Sequence, residues 1–419
     1  MMYSSWAMLD LGYKPRLVDS LIEELFEELP AVMLTGPRAT GKTTTAGRHV
    51  KSVVSLARPA EASAFSTDPD AVLAGYEEPI LLDEWQEVPS VLGAVKRAVD
   101  EAPRPGRFLL TGSVRADLGA AVWPGTGRVV RVPMYGMAVR ELRGTVEEPS
   151  LLDRLAGGGL PAPPVDPPDV RGYVELALKS GFPDPAVRMT PRGRTRWLEG
   201  YVEQLLTRDA TDLEPRRDPA RLRRYFEAYA LNSAGTVSDA ALLRSAGVDG
   251  RTAVAYERLL GNLFAIERVP AWTSNRLRRL SRGAKRYLVD PALLAAALGL
   301  DAGAIFRDGD LLGRLLDTFV AAQLRAERAT SKSRPRLYHL REEHGRHEID
   351  LVAELGGQDL LAFEVKADAA PTRRDGRHLA WLRDRLGERF LHGVVFHTGA
   401  RPFGLSDRIT ALPICSLWE

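Results

Sequence analysis

With 419 residues, 45% of them hydrophobic and 27% charged, the chain is long enough for about two to three domains, each with an ordinary core. A single cysteine, Cys415, excludes an intramolecular disulfide framework and a cysteine-rich zinc module. The net charge is only +2, no apolar run approaches the ~20 residues that span a bilayer, and no basic-then-apolar leader opens the chain, so a cytoplasmic protein with no membrane partner is expected.

In chain order, Val18, Ile22, Leu25, Phe26 and Leu29 share one face at helical spacing. Strands are expected at 31–34, 53–56, 80–82, 108–110 and 129–132, with a helix carrying Val91, Leu92, Val95, Ala98 and Val99 between the third and fourth. That alternation predicts an α/β fold with a parallel sheet covered on both faces.

Between the first strand and the helix beginning near Thr43 lies Gly36-Pro37-Arg38-Ala39-Thr40-Gly41-Lys42-Thr43, followed by Thr44. It matches G-x-x-x-x-G-K-[ST] in the strand–loop–helix context that a phosphate-binding loop needs. Glycines let backbone N–H groups curl around phosphates, and the new helix turns its positive end toward them. Lys42 is expected on the β- and γ-phosphates and Thr43 on Mg²⁺.

The strand at 80–82 ends in Asp83-Glu84, the pattern of a Walker B element. Asp83 is expected to hold Mg²⁺ through water and Glu84 to polarise the attacking water, which makes the site hydrolytic. The strand 108–110 leads into Thr111-Gly112-Ser113, hydroxyls placed near a γ-phosphate. Arg38, Arg115 and Arg128 are candidates for a charge that stabilises the transition state.

These motifs occur in a set order: Tyr13 to Arg16, Leu34 to Arg38, Gly41-Lys42-Thr43, Leu82-Asp83-Glu84-Trp85-Gln86, Leu110 to Ser113, Gly127-Arg128 and Glu141-Leu142. In that order the chain resembles a family of bacterial and archaeal AAA-superfamily ATPases, whose core is followed by a winged-helix region and a C-terminal domain of uncharacterised function. Ser180-Gly181-Phe182-Pro183 and Arg208-Asp209 also fall where that family has comparable motifs. The resemblance implies ATP as the nucleotide and Ser113 at the sensor-1 position, where AAA proteins more often carry asparagine.

Gly157-Gly158-Gly159 and the proline-rich stretch 161–168 suit neither a helix nor a central strand. The expected organisation is an ATPase domain over 1–143, a linker over 144–170, a helical and winged-helix domain over 171–300, and an α/β domain over 301–419.

Beyond the linker, Ser238 is placed to cap a helix, 247–250 is a tight turn, and a second helix runs from Arg251. Strands at 264–269 and 286–289 complete a winged helix-turn-helix pattern. From Arg188 to Arg286 there are 20 Lys/Arg against 11 Asp/Glu. Arg251 and Arg258 would lie on the recognition helix, and Arg276, Arg278, Arg279 and Arg282 in the wing, all facing DNA or RNA phosphates. A protein-docking role, or plain arginine-rich composition, explains the same residues, and a homo-oligomer is kept open.

The last part carries strands at 337–340, 349–353, 360–365 and 394–397, with helices around Leu315 and over 379–386. Strand periodicity puts Glu364 and Lys366 on one face, within reach of Asp350 on the neighbouring strand. An Asp followed by Glu-x-Lys resembles the restriction-endonuclease-like superfamily. That resemblance implies Mg²⁺ on Asp350 and Glu364, Lys366 orienting the water, and Asp317 as a fourth member. Alternating charges on an edge strand are the plainer account. His339, His344 and His347 fit no compact ligand spacing and are expected at the surface.

The expected function is a Mg²⁺-dependent ATPase coupled to a nucleic-acid transaction, with a nuclease-like C-terminal module. The alternative is an ATP-driven regulatory or signalling switch whose C-terminal domains bind protein partners.

Overall fold

Five strands, β1 (Ala31–Thr35), β2 (Ser52–Ser55), β3 (Ile80–Asp83), β4 (Phe108–Gly112) and β5 (Val129–Pro133), form a parallel sheet of order β2-β3-β4-β1-β5. The computed structural model describes residues 12–113, 127–210, 218–279, 283–342 and 345–419. The central strands β1, β3 and β4 are the apolar ones because both their faces are covered. Ala31, Met33, Ile80, Leu82, Phe108 and Leu110 pack toward the helix Val91–Glu101, while Val32, Leu34, Leu81, Leu109 and Val132 pack toward Val18 and Ile22 of the helix Leu17–Glu28. Together these elements make one compact unit, Met1–Gly136 with Asn262–Phe264.

The second unit comprises Met137–Gly261 and Ala265–Glu419. Its helical part includes Pro219–Leu231, Asp239–Ala246 and Gly250–Asn262, followed by an antiparallel pair, β6 (Ile266–Val269) and β7 (Lys285–Leu288). Ser238 caps Asp239–Ala246 by accepting from the Ala241 N–H, and Gly247 ends it at φ +63°. Arg276–Arg279 forms a short helical turn between β6 and β7.

A six-stranded mixed sheet of order β12-β13-β11-β10-β9-β8 follows, from β8 (Arg336–Glu342), β9 (His347–Glu354), β10 (Leu360–Val365), β11 (Phe390–His397), β12 (Phe403–Ser406) and β13 (Ile409–Pro413). β10 runs parallel to β11 and antiparallel to β9. Leu361 and Phe363 point into a core shared with Leu315, Leu316 and Phe319 of the helix Gly309–Glu327, and Leu360 and Ala362 into one shared with Leu379 and Leu382 of the helix Arg377–Leu386.

Residues 157–169 contain no helix or strand, as proline and glycine dictate. Within the segment expected as linker, however, Leu151–Ala156 is a helix, and its Leu151, Leu152 and Leu155 are buried in the second unit's core. Among the described residues no helix is long and apolar enough to cross a membrane.

Candidate functional site

The loop between β1 and the helix Lys42–Gly47 turns on two left-handed residues, Ala39 at φ +60° and Gly41 at φ +87°. Gly36 has no room for a side chain, since a Cβ there would lie 1.9 Å from the Met134 carbonyl oxygen. Thr40 Oγ1 donates to the Pro37 carbonyl at 2.9 Å and braces the loop. The loop is also gripped from beneath: the buried Arg16 guanidinium donates to the carbonyls of Thr40 and Tyr135, both at 2.8 Å. Arg16 belongs to the ordered motif set of the sequence, but its role was not legible there.

Lys42 Nζ donates to the Gly36 and Pro37 carbonyls at 3.0 and 2.7 Å. Burial pulls its pKa down to about 8, against the nearby carboxylates of Glu84 and Asp83, and Arg38 adds to the depression. Thr43 Oγ1 and Thr111 Oγ1 both donate to Asp83 Oδ1, at 2.6 and 2.5 Å. Burial raises the pKa of Asp83 despite these hydroxyls. A buried carboxylate beside a hydroxyl, with a cradle closed to any side chain, is a donor set that fits a magnesium-bound triphosphate. Pro37, Ala39 and Thr44 line or follow the same loop.

Glu84 stands directly after β3 with φ +54°, a strained conformation for a non-glycine residue. Its carboxylate is fixed at both ends: Ser113 Oγ donates to Oε1 at 2.9 Å, and the Gln86 amide donates to Oε2. Strand order brings these residues together, because β3 and β4 are neighbours whose C-terminal ends lie beside the loop after β1. Sequence alone did not identify Gln86 as a partner of Glu84.

Arg128 is corrected. It precedes β5, whose Val129 pairs with Ala31 and whose Pro133 pairs with Thr35, so it stands at the sheet edge opposite the loop, roughly 13 Å along the strand. Its guanidinium meets Asp100 at 2.9 Å instead. Arg115 lies outside the described residues.

In the second unit the β10–β9 register ends with Phe363 paired to Leu351, so Glu364 and Asp350 are the next residues along the two neighbouring strands. The Val365 N–H donates to Asp350 Oδ2 at 3.0 Å, and Lys366 Nζ to Glu364 Oε2 at 2.9 Å. Asp317 joins them through Lys285, whose Nζ donates to Asp317 Oδ2 at 2.6 Å and Asp350 Oδ1 at 2.8 Å. Burial lifts Asp317 to about 6 against the pull of Lys285. Burial also pushes Asp350 upward, but Lys285 and Lys366 outweigh it and hold the carboxyl at about 2. Glu364 is driven well above the usual carboxylate range by burial and by Asp350. A cavity of about 680 Å³ opens onto Asp317, Asp350 and Lys366, with Arg314 and Arg341 on its wall. Lys285 was one of twenty basic residues in its stretch of sequence, and nothing local distinguished it.

Two further expectations are corrected. Arg279, expected on phosphates, is held in a two-pronged pair with Glu354 at 2.7 and 2.8 Å, donates to the Thr273 carbonyl, and is nearly buried. His339 is buried rather than at the surface, and burial lowers its pKa to about 4. His347 stacks on Trp381 with ring centroids 4.0 Å apart. Arg251 and Arg258 are exposed on the helix Gly250–Asn262. The side chains of Arg276 and Arg278, and residues Arg282 and His344, lie outside the described residues.

An AAA domain family model matches residues 28–143, which contain the whole phosphate loop and both acids. Two domains of unknown function match further along the chain, DUF8612 over 170–304 and DUF4143 over 312–417. A Walker-type ATPase of Pyrococcus abyssi is 13% identical with a TM-score of 0.40, covering 70% of this chain and 99% of that one. Uncharacterized proteins of Mycobacterium tuberculosis (Rv2008c) and Mycobacterium bovis (Mb2031c) are each 30% identical over 388 residues, which is 92% of this chain and 80% of theirs. The chain belongs to the family of these mycobacterial proteins and carries a P-loop ATPase domain of the AAA type.

Proposed function

We propose that the protein is a Mg²⁺-dependent ATPase that couples ATP binding and hydrolysis to a nucleic-acid transaction, and that its six-stranded sheet carries a nuclease-like centre. The observation that most supports the coupling is the convergence of Asp317, Asp350, Glu364 and Lys366 beside a cavity walled by Arg314 and Arg341. Carboxylates and a lysine next to two guanidinium groups suit a phosphodiester approached by its backbone.

At the first site, the loop amides and Lys42 bind the phosphates, and Thr43 with Asp83 hold the magnesium ion. The ion would neutralise charge on the phosphate oxygens. Glu84 accepts a proton from the attacking water, and Ser113 and Gln86 keep its carboxylate aimed. At the second, Asp350 and Glu364 would hold a divalent ion and Lys366 would orient the water. The helices Asp239–Ala246 and Gly250–Asn262 with the β6–β7 pair serve as a winged helix, with Arg251 and Arg258 on its exposed face. Arg276, Arg278 and Arg282 remain the expected phosphate contacts of its wing.

The test is binding and cleavage of labelled DNA and RNA at low salt by wild type and Lys366→Ala. The reading expects Mg²⁺-dependent cleavage that Lys366→Ala abolishes. Wild type that neither binds nor cleaves any of these would end it.

A second reading, an ATP-driven regulatory switch whose C-terminal region binds protein, is favoured by one observation. Arg279 and Lys285 are both spent on internal carboxylates rather than offered to phosphates.

A further inference from the structure

The carboxylate cluster already contains a cation. Lys285 Nζ sits between Asp317 and Asp350, and its side chain is 2% exposed. A third contact, 3.4 Å, reaches the Asp350 backbone carbonyl. The other oxygens of both aspartates are committed: Asp317 Oδ1 accepts from the Tyr287 hydroxyl at 3.0 Å, and Asp350 Oδ2 from the Val365 N–H at 3.0 Å. An ammonium group with oxygens on several sides is a cation already in the place between the two aspartates, and among the described residues no group of three acids, histidines or cysteines is set to hold a metal ion as the side chains stand. One oxygen of the cluster is left over. Glu364 Oε1 is buried with no hydrogen-bond partner among the described residues, although its twin Oε2 takes Lys366. A buried carboxyl oxygen without a partner is costly, and a bound water or a ligand would satisfy it.

The lysine comes neither from the helix that supplies Asp317 nor from the sheet that supplies Asp350 and Glu364. Lys285 opens β7, in the region matched by one domain model, whereas Asp317, Asp350 and Glu364 lie in the region matched by the next. All four belong to the same compact unit. The Lys285 ammonium and a divalent ion cannot both stand between Asp317 Oδ2 and Asp350 Oδ1, since they would occupy the same place and repel strongly.

We propose that Lys285 occupies the divalent-cation position of the Asp317–Asp350–Glu364 cluster, so that the cluster takes up metal only when the β6–β7 hairpin withdraws that lysine. The inference rests on reading these carboxylates as a metal site. It makes the hairpin an internal plug, and it places the control of the cluster in the neighbouring helical region rather than in the ATPase domain.

The experiment is calorimetric titration of the nucleotide-free full chain with MnCl₂ near neutral pH. It compares wild type, Asp350→Asn, Lys285→Met and the double variant Lys285→Met/Asp350→Asn, and the Asp350→Asn chains subtract any uptake at the ATPase site. The expected result is no Asp350-dependent uptake by wild type. Lys285→Met should gain one site per chain, tighter than anything in wild type by on the order of tenfold or more, and the double variant should lose it. If Lys285→Met does not fold, Lys285→Gln removes the charge while keeping a donor and carries the same expectation. Asp350-dependent binding by wild type that Lys285 substitution leaves unchanged or weakens would overturn the proposal. So would folded Lys285 variants that bind no Mn²⁺. Metal uptake by Lys285→Met without cleavage of DNA or RNA supports the plug while counting against the nuclease reading, so the two ideas fail separately.

Discussion

The Ser113 hydroxyl donates 2.9 Å to Oε1 of Glu84, across neighbouring strands β4 and β3. Because the Gln86 amide holds the other carboxylate oxygen, Glu84 has little freedom to turn away from the mouth of the phosphate loop. The two groups that hold Glu84 are thus a serine hydroxyl on the next strand and a glutamine amide two residues past the glutamate.

Ser113→Ala removes one of the two restraints without touching the phosphate loop. The expected outcome is a fall in kcat on the order of 10- to 100-fold with the nucleotide Kd nearly unchanged. Steady-state ATPase assays beside equilibrium binding of a fluorescent nucleotide check it. A loss confined to binding would show that Ser113 serves the loop instead.

Lys42 carries a pH signature. Its pKa in the nucleotide-free protein is pulled to about 8 by burial, below the ordinary lysine value. Phosphate needs the charged form, so above pH 8 binding must take up a proton and affinity should fall by roughly tenfold per pH unit. Stability of the free protein moves the other way. A lysine depressed in the folded state costs stability while charged in both states, and that cost is relieved as pH rises from about 8 toward the unfolded value. Nucleotide titrations from pH 7 to 10 check the first trend, and Lys42→Met should flatten it.

Arg279 and Glu354 form a nearly buried pair on which Trp272 and Tyr338 also pack. Arg279→Ala strands the carboxylate, and the expected destabilisation is about 3–5 kcal/mol. Arg279→Met/Glu354→Leu should recover most of it. Urea denaturation followed by far-UV circular dichroism measures both. A double variant as unstable as the single one would place the cost in lost packing rather than in the orphaned charge.

The parts legible in the sequence are those set by local rules. β1, β3 and β4 announce themselves because strands buried on both faces must be apolar at every position, and the phosphate loop because its chemistry needs glycine, lysine and threonine at fixed spacing. Asp350 beside Glu364 was also within reach, since a two-residue period and one strand pairing suffice. What escaped depended on topology. Arg128 follows the motif order of a catalytic arginine, yet β5 pairs beside β1 and carries its first residue to the far edge. Arg279 looked like a wing cation because nothing near it in sequence announces Glu354, 75 residues away. Lys285 meets Asp317 across 32 residues and Asp350 across 65, so no local pattern could single it out. The helix Leu151–Ala156 was hidden by the glycines and prolines that follow it, although its three leucines are what the second unit's core buries.

The central claim is that one chain joins ATP hydrolysis at Glu84 to a nucleic-acid transaction. The most direct measurement is steady-state ATP turnover by wild type and Glu84→Gln, each with and without DNA and RNA. The account predicts basal Mg²⁺-dependent turnover in wild type that nucleic acid stimulates. It also predicts a loss of about 10²- to 10⁴-fold in Glu84→Gln, with no stimulation remaining. Wild-type turnover indifferent to every nucleic acid tested, or a Glu84→Gln enzyme as fast as wild type, would contradict it.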